Sequence, residues 1–223
     1  TMLALYHLFS GVEANSLPGM ESILQDAGVM PPKVVRRAIL VGTKLSPGQP
    51  EVKPDGTEVR TIWGELAWEL GGHKGYDMVR KADETGTNPG QALVDLLKAH
   101  APCVVLIDEW VAYARQLYGV NDLPGGSFDA QFTFAQALTE AASAVPGTMV
   151  VISLPQSEVE LGSEGGKEAL QRLKQAIGRI ESPWRAASTE EGFEIVRRRL
   201  FDNPDPDKYV QRDAVLQAFS DLY

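Results

Sequence analysis

The chain has 223 residues, with 21 Lys and Arg against 30 Asp and Glu for a formal net charge of −9. That length suits one α/β domain with a short appendage, burying about 70% of the unfolded surface, while the acid excess argues against non-specific nucleic-acid binding by this segment. No apolar run nears the roughly 20 residues of a membrane helix, and the one cysteine, Cys103, cannot form an intrachain disulfide, so a soluble cytoplasmic protein is expected.

The first residues, Thr1 to Phe9, are apolar without the basic start or small-residue cleavage site of a signal peptide, and read as a helix already under way. Gly11 to Pro32 is rich in Gly, Pro and Ser, with a short helix at Met20 to Ala27, and Val34 to Val41 is the first strand. Thr43 to Arg60, holding Pro47, Gly48, Pro50, Pro54 and Gly56, reads as a long loop. Ile62, Leu66 and Leu70 then mark a helix that Gly71-Gly72 stops. A second helix runs from Pro89 to His100, with Asn88 as N-cap and Leu93, Leu96 and Leu97 on one face.

Strand and helix alternate from this point. Val104 to Ile107 is a buried strand, with Cys103 a structural thiol at its start. Trp110 to Tyr118 is a helix, Gly119 to Ser127 a loop, and Asp129 to Ala144 a long helix. Met149 to Leu154 is a second buried strand, followed by a polar loop and a helix from Lys167 to Ile177. This order predicts a parallel sheet flanked by helices. Thr189 opens a helix through Phe201 whose arginines, Arg197 to Arg199, suit its carboxyl end. That triplet and Lys33-Val34-Val35-Arg36-Arg37 are short basic clusters that read as solvated faces, so no DNA contact by this segment is expected. Asp202 to Lys208 is a linker, and the segment from Arg212 carries Val215, Leu216, Phe219 and Leu222 at helical spacing. Residues 1–201 therefore read as a core and 202–223 as a linker and the start of a following helical segment, with both ends resembling cuts through something larger.

The chemistry concentrates in Val104-Val105-Leu106-Ile107-Asp108-Glu109. An apolar strand ending in an acidic pair has the form of a Walker B motif, with one carboxylate serving Mg²⁺ and the other serving water. Ser153, ending the next buried strand, is placed to hydrogen-bond that water or a γ-phosphate. The competing reading makes Asp108 a cap for the following helix and Ser153 a plain strand end. The phosphate cradle of such enzymes, G-x-x-x-x-G-K-[ST], is absent from the sequence. Gly162-Ser163-Glu164-Gly165-Gly166-Lys167-Glu168 fails in its first glycine spacing and in lacking the hydroxyl residue. The histidines, His7, His73 and His100, form no zinc-type spacing with Cys103, and no G-x-S-x-G elbow or dinucleotide fingerprint is present. A cradle lying just upstream of Thr1 and feeding the apolar first helix would reconcile these observations.

Leu3-Ala4-Leu5-Tyr6-His7-Leu8, Thr61-Ile62-Trp63-Gly64-Glu65-Leu66-Ala67, Leu106-Ile107-Asp108-Glu109-Trp110-Val111-Ala112-Tyr113 and Glu191-Gly192-Phe193-Glu194-Ile195-Val196-Arg197-Arg198-Arg199-Leu200-Phe201 together resemble large prokaryotic AAA+-like ATPases of the domain-of-unknown-function 499 family. The resemblance implies a P-loop NTPase fold of the additional-strand, catalytic-glutamate type that lacks, in this chain, its first strand and Walker A. It implies ATP and Mg²⁺ as ligands of the intact protein, Asp108 and Glu109 as Walker B, Ser153 at the sensor 1 position, and Arg179 as the best match to the arginine finger, with Arg172 and Arg185 as alternatives. It also implies a homo-oligomer and a DNA-linked phage-defence or restriction-type setting, with a DNA methyltransferase or other defence proteins as partners. The alternative from a different class is a non-catalytic interaction module with the same fold. A nucleic-acid translocase is a third.

Overall fold

The computed structural model describes residues 2–155, 161, 163–178, 184, 188–202 and 205–221. The chain forms two compact units, Thr1–Glu181 and Ser182–Tyr223. The first contains α1 (Met2–Leu8), α2 (Met20–Ala27), β1 (Arg36–Val41), β2 (Glu51–Val52), β3 (Glu58–Val59), α3 (Ile62–Thr85), α4 (Gln91–His100), β4 (Cys103–Asp108), α5 (Trp110–Ala114), α6 (Phe128–Ala144), β5 (Thr148–Ile152) and α7 (Glu164–Ile177). The second contains α8 (Thr189–Leu200) and α9 (Tyr209–Ser220). Among the described residues no helix is long and apolar enough to cross a membrane.

The architecture is α/β. Three parallel strands lie in the order β1-β4-β5, in a register that sets Val41 opposite Asp108 and Ile107 opposite Ile152. The middle strand is buried from Cys103 to Ile107 without alternation, as a parallel strand covered on both faces must be. Cys103, Val105 and Ile107 join Ala38 and Leu40 of β1, Leu66 of α3, Leu93 and Leu97 of α4 and Phe134 of α6 in one core, and Val104 and Leu106 are buried on the opposite face. Each such side chain contributes about 1.5–3 kcal/mol by leaving water, which fixes β4 as the most constrained strand of the unit. Burial also pushes the Cys103 thiol up, which suits a structural role.

The long loop after β1 contains a small antiparallel hairpin, β2–β3, and the helix beyond it does not stop at Gly71-Gly72. Gly72 adopts φ 59° and ψ −146°, a region open essentially to glycine alone, and there α3 breaks and folds back on itself. The two arms pack so closely that a Cβ on Gly75 would lie 2.3 Å from the Ala67 carbonyl oxygen and one on Gly64 would lie 2.1 Å from Asp83 Oδ1. The open end of this helical hairpin is closed by the fully buried Asp83, whose carboxylate accepts from Thr61 N–H at 2.8 Å, Thr61 Oγ1 at 2.6 Å and Tyr76 Oη at 2.9 Å, and from Arg60 N–H. Thr61 also caps the first arm, its hydroxyl accepting from Gly64 N–H.

The hairpin is tied to both arms. Lys53 reaches Glu65 on the first at 2.7 Å, and Asp55 and Thr57 reach the His73 ring on the second at 2.9 and 3.0 Å. Other helix starts differ in detail from the sequence reading. α4 begins at Gln91 with Gly90 at its cap, and the Asn88 side chain accepts only from Gly90 N–H. α6 is capped by Ser127. In the second unit, Ser188 and Glu191 form a reciprocal capping box on α8, whose last turn carries the three arginines.

Candidate functional site

Parallel strands that end together bring their following residues to one edge, where open α/β sheets bind ligands. Asp108, Glu109, Gly42, Thr43 and Ser153 meet at this edge. Ser153 N–H donates to the Ile107 carbonyl at 3.0 Å, extending the β5–β4 ladder by one step. That step directs the Ser153 hydroxyl to Asp108 Oδ1, to which it donates, and the same hydroxyl accepts from Glu109 N–H at 3.2 Å. On the other side Gly42 N–H donates to the Asp108 carbonyl at 2.8 Å, and the Thr43 hydroxyl donates to Glu109 Oε2. Asp108 is half-buried and Glu109 is exposed.

Glu109 is the turn between β4 and α5. It sits in the left-handed region at φ 56° and ψ 34° and makes no side-chain cap bond to α5. Its carbonyl accepts from Ala112 N–H at 2.9 Å. The capping reading of the acidic pair therefore lacks its bonds: Asp108 is engaged by Ser153, and Glu109 by Thr43.

The donor set suits a hard divalent cation. Asp108 Oδ2 accepts no hydrogen bond from any described residue, while Oδ1 is taken by the Ser153 hydroxyl. One or two carboxylates with the rest of the shell left to water is how Mg²⁺ is commonly bound. Among the described residues no group of three or more His, Cys, Asp or Glu is assembled to hold a metal ion.

The sequence-predicted arginine, Arg179, and its alternative Arg185 lie outside the described residues. Arg172 is committed within its own unit: it bonds Glu168 at 2.8 Å, pairs with Asp129, and lies over the rings of Phe128 and Phe132. The P-loop-like stretch near α7 serves packing. Gly165 gives room to the Tyr118 ring and Gly166 to the Leu161 carbonyl, where added Cβ atoms would lie at 2.8 and 2.3 Å. Ser163 caps the helix through Gly166 N–H.

Sequence reasoning did not place Gly42 and Thr43 beside the acidic pair. Their signal was position alone, the first two residues after a strand predicted to be parallel to the acidic one. Beside them a cavity of about 240 Å³ is walled by Lys44, Leu45, Val59, Thr61, Glu65 and Tyr113. Glu65 sits deep in its wall against Lys53. Burial raises the Glu65 carboxyl more than Lys53 lowers it. Burial lowers the Lys53 ammonium, but its bonds to Glu65 and Glu51 outweigh that and leave it above its ordinary value. One ammonium serves two carboxylates, with Glu69 close by, so the cation gains more than either anion does.

Compared with known families, residues 1–188 match the DUF499 N-terminal domain, and the chain belongs to that family. No curated protein and no solved structure matches it.

Proposed function

We propose that this DUF499 chain carries the Walker B half of an ATP-hydrolysing, AAA+-like P-loop core of the additional-strand, catalytic-glutamate type. The observation that carries the reading is the meeting of Asp108, Glu109, Ser153 and Thr43 at the carboxyl end of the middle parallel strand. Asp108 would hold Mg²⁺ through water, and the ion would supply neutralisation of the charge on the transferring phosphoryl group. Glu109 takes a proton from the attacking water, and its exposed carboxylate is reachable by solvent. Ser153 fixes the Asp108 carboxylate and the Glu109 backbone relative to each other. Thr43 holds the Glu109 carboxylate in a defined direction before substrate arrives.

One further feature supports this reading. β5 pairs only with β4 among the described residues, and all five of its residues are half-buried, which leaves an apolar edge suited to one more parallel strand. No phosphate-binding G-x-x-x-x-G-K-[ST] occurs in the 223 residues, so the reading requires that cradle from other sequence of the same polypeptide. Arg179 would reach a neighbour's γ-phosphate in a homo-oligomer, and the DNA-linked defence setting with a methyltransferase partner rests on the family resemblance.

The test is ATP turnover by the full-length chain beside its Glu109→Gln variant. Glutamine keeps the shape and the acceptor for Thr43 but removes the base, so ATP binding persists and turnover is lost. Turnover retained in Glu109→Gln removes Glu109 from the chemistry. No turnover in the wild type, with oligomers formed and DNA added, favours a non-catalytic interaction module.

A further inference from the structure

Gly42 follows β1 and stands directly behind the acidic pair. A Cβ built on it would lie 2.1 Å from the carbonyl oxygen of Glu109, 2.8 Å from the carbonyl carbon and 3.2 Å from Tyr113 Cβ. Its own φ lies outside the left-handed region, so its backbone would accept alanine. The obstacle is the Glu109 peptide, together with the Tyr113 side chain one turn further along α5. That peptide is held in place, because its carbonyl accepts from Ala112 N–H at 2.9 Å, and Gly42 is held against it by its own N–H bond to the Asp108 carbonyl at 2.8 Å. The carbonyl of Glu109 is thus clamped between the Cα of Gly42 and the first turn of α5, and the left-handed backbone at Glu109 is the conformation that fits the clamp.

We infer that Gly42 is a positioning residue for Glu109: the missing side chain at 42 sets the backbone of the acid and through it the direction of its carboxylate. A methyl group there must displace the Glu109 peptide by about 1 Å to reach van der Waals separation, and a displacement of that size at a reacting group costs on the order of 100-fold in rate. Thr43, the next residue, would then meet Glu109 in altered geometry, so the two contacts from the end of β1 act on the same carboxylate. The role in turnover rests on the ATPase reading, whereas the effect on the carboxylate does not.

The experiment has two arms. In the 223-residue chain, the side-chain carboxyl carbon of Glu109 is followed by NMR in the wild type, Gly42→Ala and Thr43→Val. In the full-length protein, ATP turnover is measured for wild type and Gly42→Ala. The inference expects the Glu109 signal in Gly42→Ala to move in the same sense as in Thr43→Val, and kcat to fall about 100-fold with KM for ATP unchanged. An unmoved Glu109 signal overturns it, as does an unchanged kcat, or a fall confined to KM. A moved signal with no turnover in the wild type keeps Gly42 as the residue that positions Glu109 and removes the ATPase reading. Should Gly42→Ala fail to fold, Gly42→Ala with Glu109→Gly keeps the carbonyl but frees its peptide to turn away through backbone angles closed to glutamate, so it recovers folding if the clash with the Glu109 peptide is the cause, and a failure to recover counts against the inference.

Discussion

Replacing Asp83 with alanine strips the acceptor from four donors at the open end of the α3 hairpin: Arg60 N–H, Thr61 N–H, Thr61 Oγ1 and Tyr76 Oη. The Tyr76 hydroxyl keeps the Glu58 carbonyl at 3.0 Å, and the Thr61 hydroxyl can turn elsewhere. The two backbone N–H groups cannot, and an orphaned buried donor costs about 1–3 kcal/mol. With the lost bonds to a charged acceptor added, Asp83→Ala should destabilise by about 3–5 kcal/mol. For a chain of this size that is a fall of roughly 10 °C in the thermal midpoint. Asp83→Asn keeps the shape and one acceptor oxygen but turns an NH₂ toward the donors, and should cost about half as much. Urea unfolding of the three proteins, followed by tryptophan fluorescence, reads the series directly, since Trp63 lies in the first arm of α3. A loss below about 1 kcal/mol for Asp83→Ala would show that the arms are held by apolar packing and that the carboxylate is dispensable.

Lys53→Met leaves the 7%-exposed Glu65 without its cation and should cost about 2–3 kcal/mol, whereas Lys53→Met with Glu65→Leu should lie near wild type; a double variant as unstable as the single would sink this account. Because the folded Glu65 already titrates above its ordinary 4.5, an unpaired Glu65 titrates higher still. The folded state then binds the proton more tightly than the unfolded one, so the deficit of Lys53→Met is largest at neutral pH and narrows as pH falls toward 4.5, which urea midpoints across that range check. Ser153→Ala removes the donor to Asp108 and the acceptor of Glu109 N–H, and on the proposed ATPase reading should lower kcat for ATP about 100-fold with nucleotide affinity retained; an unchanged kcat by coupled assay would take Ser153 out of the site. Glu109→Gly should leave the thermal midpoint within about 3 °C of wild type, or raise it, and a larger fall by calorimetry would return Glu109 to a structural role.

The strands were legible because their signals are local. Val104 to Ile107 is apolar without alternation, and only a parallel strand covered on both faces asks for that. The acidic pair was legible for the same reason, since its position follows from the strand that ends there. The second arm of α3 was not. Gly71-Gly72 is a sound stop signal, and the helix does break there, but the sequence beyond it carries charges and glycines whose meaning is tertiary. Gly75 is there to meet Ala67, and Asp83 to meet Thr61, 22 residues back. Gly42 and Thr43 were hidden similarly, at the junction of a strand and a long Pro- and Gly-rich loop, where nothing local marks them as facing the acidic pair. Contacts across more than one element cannot be read from spacing: Ser153 was legible as the end of its strand, but its bonds to Asp108 and Glu109 were not, nor were those of Gly42 and Thr43 beyond β1.

The left-handed backbone at Glu109 bears on what the acidic pair is for. A non-glycine residue in that region costs about 1–2 kcal/mol, and asparagine or glycine would lower the cost. A structural cap could offset it, since a side-chain cap contributes about 0.5–2 kcal/mol, but Glu109 makes none. Its one side-chain bond, from Thr43, is exposed, and a bond in water contributes little to stability. The strain is therefore not recovered locally. It is sustained by the clamp of Gly42 and the first turn of α5, and by the buried strand behind them, and what it achieves is an exposed carboxylate with a fixed direction beside a second carboxylate that has an oxygen free. Strain held in place by rigid surroundings and aimed at solvent is a feature of sites that do chemistry, and it favours the catalytic reading of this edge over a module that only kept the fold.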